Sequence, residues 1–162
     1  MQVRLAVVGD AEAIQEIYNA EVTGSTVTFD LVPRTLDEQR AWLADHAGAH
    51  PAIVAVAADG AVLGFASLSA YKERPAYATT VEDSVFVHRD HRGEGVGRAL
   101  LTELVRLARD HGFHTVIARI VGDNAASIRV HQAVGFELVG VEREVGRKFG
   151  RWLDVVELQL LL

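Results

Sequence analysis

Residues 82–104 read Glu-Asp-Ser-Val-Phe-Val-His-Arg-Asp-His-Arg-Gly-Glu-Gly-Val-Gly-Arg-Ala-Leu-Leu-Thr-Glu-Leu. This is the pattern of a strand, a glycine turn and the start of a helix. Val85, Phe86 and Val87 form a short β-branched and aromatic run. Arg92-Gly93-Glu94-Gly95-Val96-Gly97 breaks it, and Val96, Leu100, Leu104 and Ala108 then recur every four residues, as on one helix face. Lacking a Cβ, such glycines permit left-handed backbone and close approach to a ligand, while the unpaired first-turn amides and the helix dipole favour an anion. The expected guest is a phosphate. Two common nucleotide loops are excluded by spacing: G-x-G-x-x-G would need a glycine where Arg98 stands, and no G-x-x-x-x-G-K-[ST] run exists.

Outward from that turn, the chain of 162 residues is 49% hydrophobic, which suits a single domain over 1–162 with a substantial core. A formal net charge of −6 argues against a nucleic-acid partner, so an anionic ligand must be held locally by amides and a few arginines. Cysteine is absent, which removes disulfides, a thiol nucleophile and thiolate metal sites. The apolar part of the N-terminus is too short for a signal peptide and no run approaches a membrane span, so a soluble, cytoplasmic protein without a membrane partner is expected.

Residues 2 to 8 alternate as a first strand, and Gly9-Asp10 offers a turn and cap for a helix with Ile14, Ile17 and Tyr18 on one side. Thr35 to Glu38 is a capping box opening a second helix, after a loop that contains Phe29. Asp59-Gly60 joins two strands, 52–58 and 61–71, as a hairpin, with Gly64 marking a bend or a close approach. Beyond the central helix come a strand over 114–121, a helix capped by Asp123-Asn124 and closed by Gly135, and two strands, 136–142 and 152–162, joined by a basic loop, Arg143 to Arg151. The order β-α-α-β-β-β-α-β-α-β-β gives an α/β domain, a mixed central sheet flanked by helices.

The pattern Arg92-x-x-Gly95-x-Gly97 after a strand resembles the pyrophosphate loop of the GNAT superfamily of N-acetyltransferases, and the element order is that of the GNAT fold. Within it, four stretches resemble the phosphinothricin and methionine sulfoximine N-acetyltransferases: Glu16 to Asn19, Val81 to Val87, Asn124 to Phe136 and Lys148 to Asp154. The resemblance implies transfer of acetyl from acetyl-CoA to the amine of a small amino-acid-like substrate, by direct attack in a ternary complex, with no metal, in a homodimer. It implies that Val85, Phe86, Val87, Arg92, Gly93, Glu94, Gly95, Val96, Gly97, Arg98, Asn124 and Ser127 meet the cofactor.

Acetyl transfer needs a neutral amine, and an alkyl ammonium must first lose a proton to a carboxylate or imidazole. Glu82 matches the family's base; Asp83 competes locally, but strand alternation sends the two to opposite faces. Asn124, Ser127 and His131, spaced three and four apart, form a polar stripe on an otherwise apolar helix. Many superfamily members place a tyrosine acid where His131 stands, so its role as acid, base or hydrogen-bond donor is open. Lys72 and Arg74, with Tyr77 as a wall, match the residues that hold a substrate's acidic groups in the phosphinothricin branch. Phe29 is either a substrate wall or loop packing. The alternatives are the same fold acting on a polyamine, aminoglycoside or protein N-terminus, and a non-catalytic acyl-CoA-binding domain.

Overall fold

Alternation along the strands sorts the side chains into two layers around one sheet. The computed structural model describes residues 1–162. In chain order the elements are β1 (Gln2–Leu5), α1 (Ala11–Gly24), α2 (Leu36–Asp45), β2 (Ala52–Val56), β3 (Val62–Ala70), β4 (Thr80–Val87), α3 (Val96–Asp110), β5 (Thr115–Val121), α4 (Ala125–Val134), β6 (Glu137–Lys148) and β7 (Arg151–Leu161). The seven strands form one sheet ordered β1-β2-β3-β4-β5-β7-β6. Every neighbouring pair is antiparallel except β4 and β5, which α3 connects as a crossover.

The four-residue period of α3 buries Val96, Leu100, Leu104 and Ala108 on one face of the sheet, against Leu68, Val81, Val116, Ala118 and Leu158. Ile14, Ile17 and Tyr18 of α1 cover the other face with Leu43 of α2, over Val54 and Phe65. The Thr35 box closes as expected, its hydroxyl accepting from Glu38 N–H at 3.2 Å and Glu38 accepting from Thr35 N–H at 2.7 Å.

Three local expectations are corrected. The first strand stops at Leu5, because Asp10 turns back to take Arg4 at 2.7 Å and Val7 N–H at 2.8 Å instead of capping α1. The supposed basic loop 143–151 is strand: β6 runs to Lys148, and Phe149-Gly150 is a two-residue turn with both φ positive, 52° and 72°. Lys148, taken for a loop cation, is 3% exposed.

Candidate active site

β4 decides the site because its two neighbours treat it differently. On the β3 side it is paired from Val81↔Ala70 to Val87↔Gly64. On the β5 side pairing covers only Thr80↔Thr115, Val81↔Val116 and Glu82↔Ile117. Past Glu82 the two strands part. His88 N–H donates to Leu63 O, so by alternation the amides of residues 86 and 84 also point to β3, while those of Val85 and Val87 point into the opening. The strand thus presents free in-plane donors along its second half.

At the end of that opening lies the glycine turn. Gly93 and Gly95 have φ of 81° and 83°, and Gly95 is the N-cap of α3. A Cβ placed on either would meet nothing within 4 Å, so the main chain is bare on that side. The first bond of α3 runs from Ala99 N–H to Gly95 O at 3.0 Å, which leaves the amides of Val96, Gly97 and Arg98 without helical partners. These donors and the dipole fit a pyrophosphate.

The arginine of the motif is used differently. Arg92 donates to Glu21 of α1 at 2.7 Å, alongside Arg89 at 3.0 Å. Glu21 is 2% exposed. Burial alone would raise its pKa, but the Ser25 hydroxyl with Arg89 and Arg92 outweighs this and holds it below the ordinary value. Glu94 accepts from His91 at 3.1 Å, and Arg98 borders a groove between α3 and α4 with Arg106 and Arg109. What the turn offers an anion is therefore mainly backbone.

The faces of β4 separate the two acids as alternation requires. Glu82, Ser84 and Phe86 lie opposite Ser69, Ser67 and Phe65 on the α1/α2 side, and Phe86 stacks on Phe65 with centroids 5.2 Å apart. Phe86 therefore turns its side chain to the α1/α2 side and its amide to β3. Glu82 is half-buried and its pKa is raised, first by burial, then by the charges of Asp83, Glu157 and Glu142, with Arg119 opposing.

Asp83 lies on the α3/α4 side and meets His131 of α4, Oδ2 to Nε2, at 3.1 Å; the side chains are 3% and 4% exposed. His131 Nδ1 lies 2.8 Å from Ser127 O, a pure acceptor, so Nδ1 donates, and Nε2 faces Asp83 Oδ2. Burial lowers the His131 pKa, but Asp83 and the Ser127 carbonyl reverse that and raise it. Asn124 caps α4, its Oδ1 accepting from Ser127 N–H at 3.2 Å, and its amide NH₂ is left to donate to a ligand.

Beside Ser84 and Ser69 opens a cavity of about 290 Å³, lined further by Tyr18, Thr28, Arg34 and Trp42. The substrate residues expected from sequence are not in its lining. Lys72, Arg74 and Tyr77 are exposed on the β3–β4 connection, with the Lys72 ammonium 4.6 Å from the Tyr71 ring and 5.2 Å from Tyr77. Phe29 packs on β6, where a Cβ on Gly146 would fall 2.4 Å from its ring. Sequence reasoning missed Arg34 and the serines; a run of hydroxyls at every second position, Ser67 and Ser69, in an apolar strand was the available signal.

Residues 3–156 match the family model described as an acetyltransferase (GNAT) domain. A methionine sulfoximine/methionine sulfone acetyltransferase of Pseudomonas aeruginosa is 42% identical over 99% of this chain and 94% of its own length. A phosphinothricin N-acetyltransferase of Streptomyces coelicolor is 40% identical over 96% and 92%. The crystal structure of a GNAT superfamily phosphinothricin acetyltransferase from Sinorhizobium meliloti in complex with acetyl-CoA superposes with a TM-score of 0.96 at 40% identity, covering 99% of this chain and 88% of that one.

Proposed function

This chain belongs to the GNAT acetyltransferase family, and we propose that its acceptor is the α-amino group of a small amino acid of the phosphinothricin, methionine sulfoximine or methionine sulfone kind, acetylated by direct attack in a ternary complex. That it is an N-acetyltransferase follows from the family and the relatives. The acceptor and the roles of individual residues are the proposal.

The observation that carries it is the placement of Glu82. A half-buried carboxylate with a raised pKa stands at the last paired position before β4 and β5 part, on the face that bears the polar cavity. Acetyl-CoA fits the remaining features: the bare turn at Gly93 and Gly95 and the amides of Val96, Gly97 and Arg98 would hold its pyrophosphate, and the NH₂ of Asn124 would hold its arm. Bound there, it supplies an activated acetyl thioester. Glu82 takes a proton from the acceptor ammonium, and a carboxylate whose pKa is raised toward neutrality is a better base than an ordinary one. Val85 N–H stands in the opening as a preorganised donor for developing negative charge on oxygen. His131, hydrogen-bonded at both ring nitrogens and with its pKa raised by Asp83 and the Ser127 carbonyl, is the proton source on the far side of β4. Lys72 and Arg74, exposed on the β3–β4 connection, supply cations for the α-carboxylate.

The test is CoA release from acetyl-CoA with phosphinothricin, methionine sulfoximine and methionine sulfone as separate acceptors. Turnover of at least one, with intersecting initial-rate plots and no CoA release without acceptor, is expected. Turnover of a polyamine or peptide N-terminus and none of the three would overturn the acceptor assignment.

Gly95→Ala probes the turn. A left-handed φ of 83° with a side chain costs about 1–2 kcal/mol, and the added methyl projects into the space a pyrophosphate needs. The KM for acetyl-CoA is expected to rise at least about tenfold, one hydrogen bond to a charged group, with the acceptor KM unchanged in steady-state kinetics.

For the homodimer expected from sequence, we propose the β6–β7 hairpin as the contact. Val139, Val141, Val145, Phe149 and Trp152 are each more than half exposed or at that limit, all on the β6–β7 hairpin, and β6 is the sheet edge. Sedimentation should give twice the chain mass, and Trp152→Glu should shift it toward the monomer. No helix is long and apolar enough to cross a membrane.

A further inference from the structure

We infer that the cavity bounded by Arg34, Tyr18, Trp42 and the β3–β4 serines is the acceptor's side-chain pocket, and that Arg34 selects a side chain ending in an anionic oxygen group. This rests on the acetyltransfer reading above and adds which end of the acceptor goes where.

Arg34 is held rather than merely present. Asn19 of α1 grips its main chain from both sides, donating to Arg34 O at 2.8 Å and accepting from Arg34 N–H at 2.9 Å; Gln15 donates to the same carbonyl at 2.7 Å. Its guanidinium lies 4.0 Å from the Tyr18 ring centre and 5.4 Å from that of Trp42. Gln39, 0% exposed, accepts from it at 3.3 Å, and this fixes the amide with its Nε2 buried and unpartnered. The nearest carboxylate, Asp30, is 3.8 Å away with a half-exposed side chain, and it also accepts from Tyr18. A preorganised guanidinium without a close bidentate partner retains capacity for an oxyanion.

Position completes the assignment. Ser84↔Ser67 is the next same-face pair after Glu82↔Ser69, about 7 Å along the strands. With the amine at Glu82, a group carried at the γ carbon reaches the level of the Ser84↔Ser67 pair, where both serines line the cavity. The volume of about 290 Å³ suits such a side chain. A second ammonium would meet Arg34, so polyamines and aminoglycosides are disfavoured here.

Phosphinothricin and methionine sulfone are nearly the same shape, and their side chains end in a charged phosphinate and a neutral sulfone. With Arg34→Gln, kcat/KM for phosphinothricin should fall roughly 10- to 100-fold, mostly through KM, the range for a hydrogen bond to a charged group; methionine sulfone should change by less than about threefold on the same scale. Arg34→Lys, which keeps the charge and loses the fork, should lie between. Equal losses on both acceptors, or none on either, would overturn the inference. Calorimetric titration of the two acceptors onto wild type and Arg34→Lys decides the matter apart from turnover: preferential binding of phosphinothricin that weakens in the variant supports the pocket even if acetyl transfer to both fails, and absence of binding to wild type overturns it.

Discussion

Glu82→Gln should retain acetyl-CoA binding and lose most of its turnover, kcat falling by about 10²- to 10⁴-fold, the usual contribution of a positioned general base. The variant is nearly isosteric, and Glu82 lies on the α1/α2 face of β4, away from the turn at Gly93 and Gly95, so the KM for acetyl-CoA should stay within about twofold, well below the cost of a lost hydrogen bond. The same residue predicts a stability signature of definite sign. Its folded pKa is raised, by burial first, so the folded state resists the charged form. The penalty is absent below the ordinary glutamate value and sets in as pH rises through the folded pKa. Thermal denaturation should therefore show Glu82→Gln gaining on wild type at pH 8 relative to pH 4.5. A variant that loses stability at pH 8 would mean that Glu82 is held by partners and is not poised as a base.

Asp83→Ala is expected to cost about 3–5 kcal/mol, since it breaks the buried pair that Asp83 makes with His131. Against a domain stability of about 5–15 kcal/mol, that is a large fraction. The side chains are 3% and 4% exposed, so solvent screens the pair little. Its pH dependence follows from the raised His131 pKa: the stabilisation is full below the unfolded histidine value of about 6.5 and is lost as pH rises through the folded pKa. Urea titration should show a larger deficit for Asp83→Ala at pH 5.5 than at pH 9. Removing both charges in Asp83→Leu/His131→Phe should recover much of the loss, because an apolar pair replaces an ion pair at little net cost. If Asp83→Ala were neutral at pH 5.5, the pair would not be what holds α4 to β4.

The fold was legible where local chemistry and tertiary demand agree. The four-residue period of α3, the Thr35 box and the Asp59-Gly60 hairpin carry their instructions within a few residues. Gly64 was read as a bend or a close approach, and a Cβ there would meet Phe86 O at 2.7 Å. Arg143 to Arg151 was misread because its charges suggest solvent, while a β-ribbon at a sheet edge exposes most of its side chains and needs only a Phe149-Gly150 turn to reverse. The site was legible by strand position: opposite faces for Glu82 and Asp83 follow from alternation alone. Its partners were not. Asp83 and His131 are 48 residues apart, Glu21 and Arg92 71 apart, and the cavity draws on α1, α2, β3, β4 and the loop bearing Arg34, so no short window contains the pairing.

The most direct test of Glu82 as the base is the pH dependence of kcat/KM for the preferred acceptor, in wild type and Glu82→Gln. Wild type should rise with pH along an acid limb whose pKa lies above the ordinary glutamate value, and the variant should lack that limb while its low rate follows only the acceptor amine. A variant that keeps the wild-type limb, or that turns over at the wild-type rate, would show that another group removes the proton and would contradict the account.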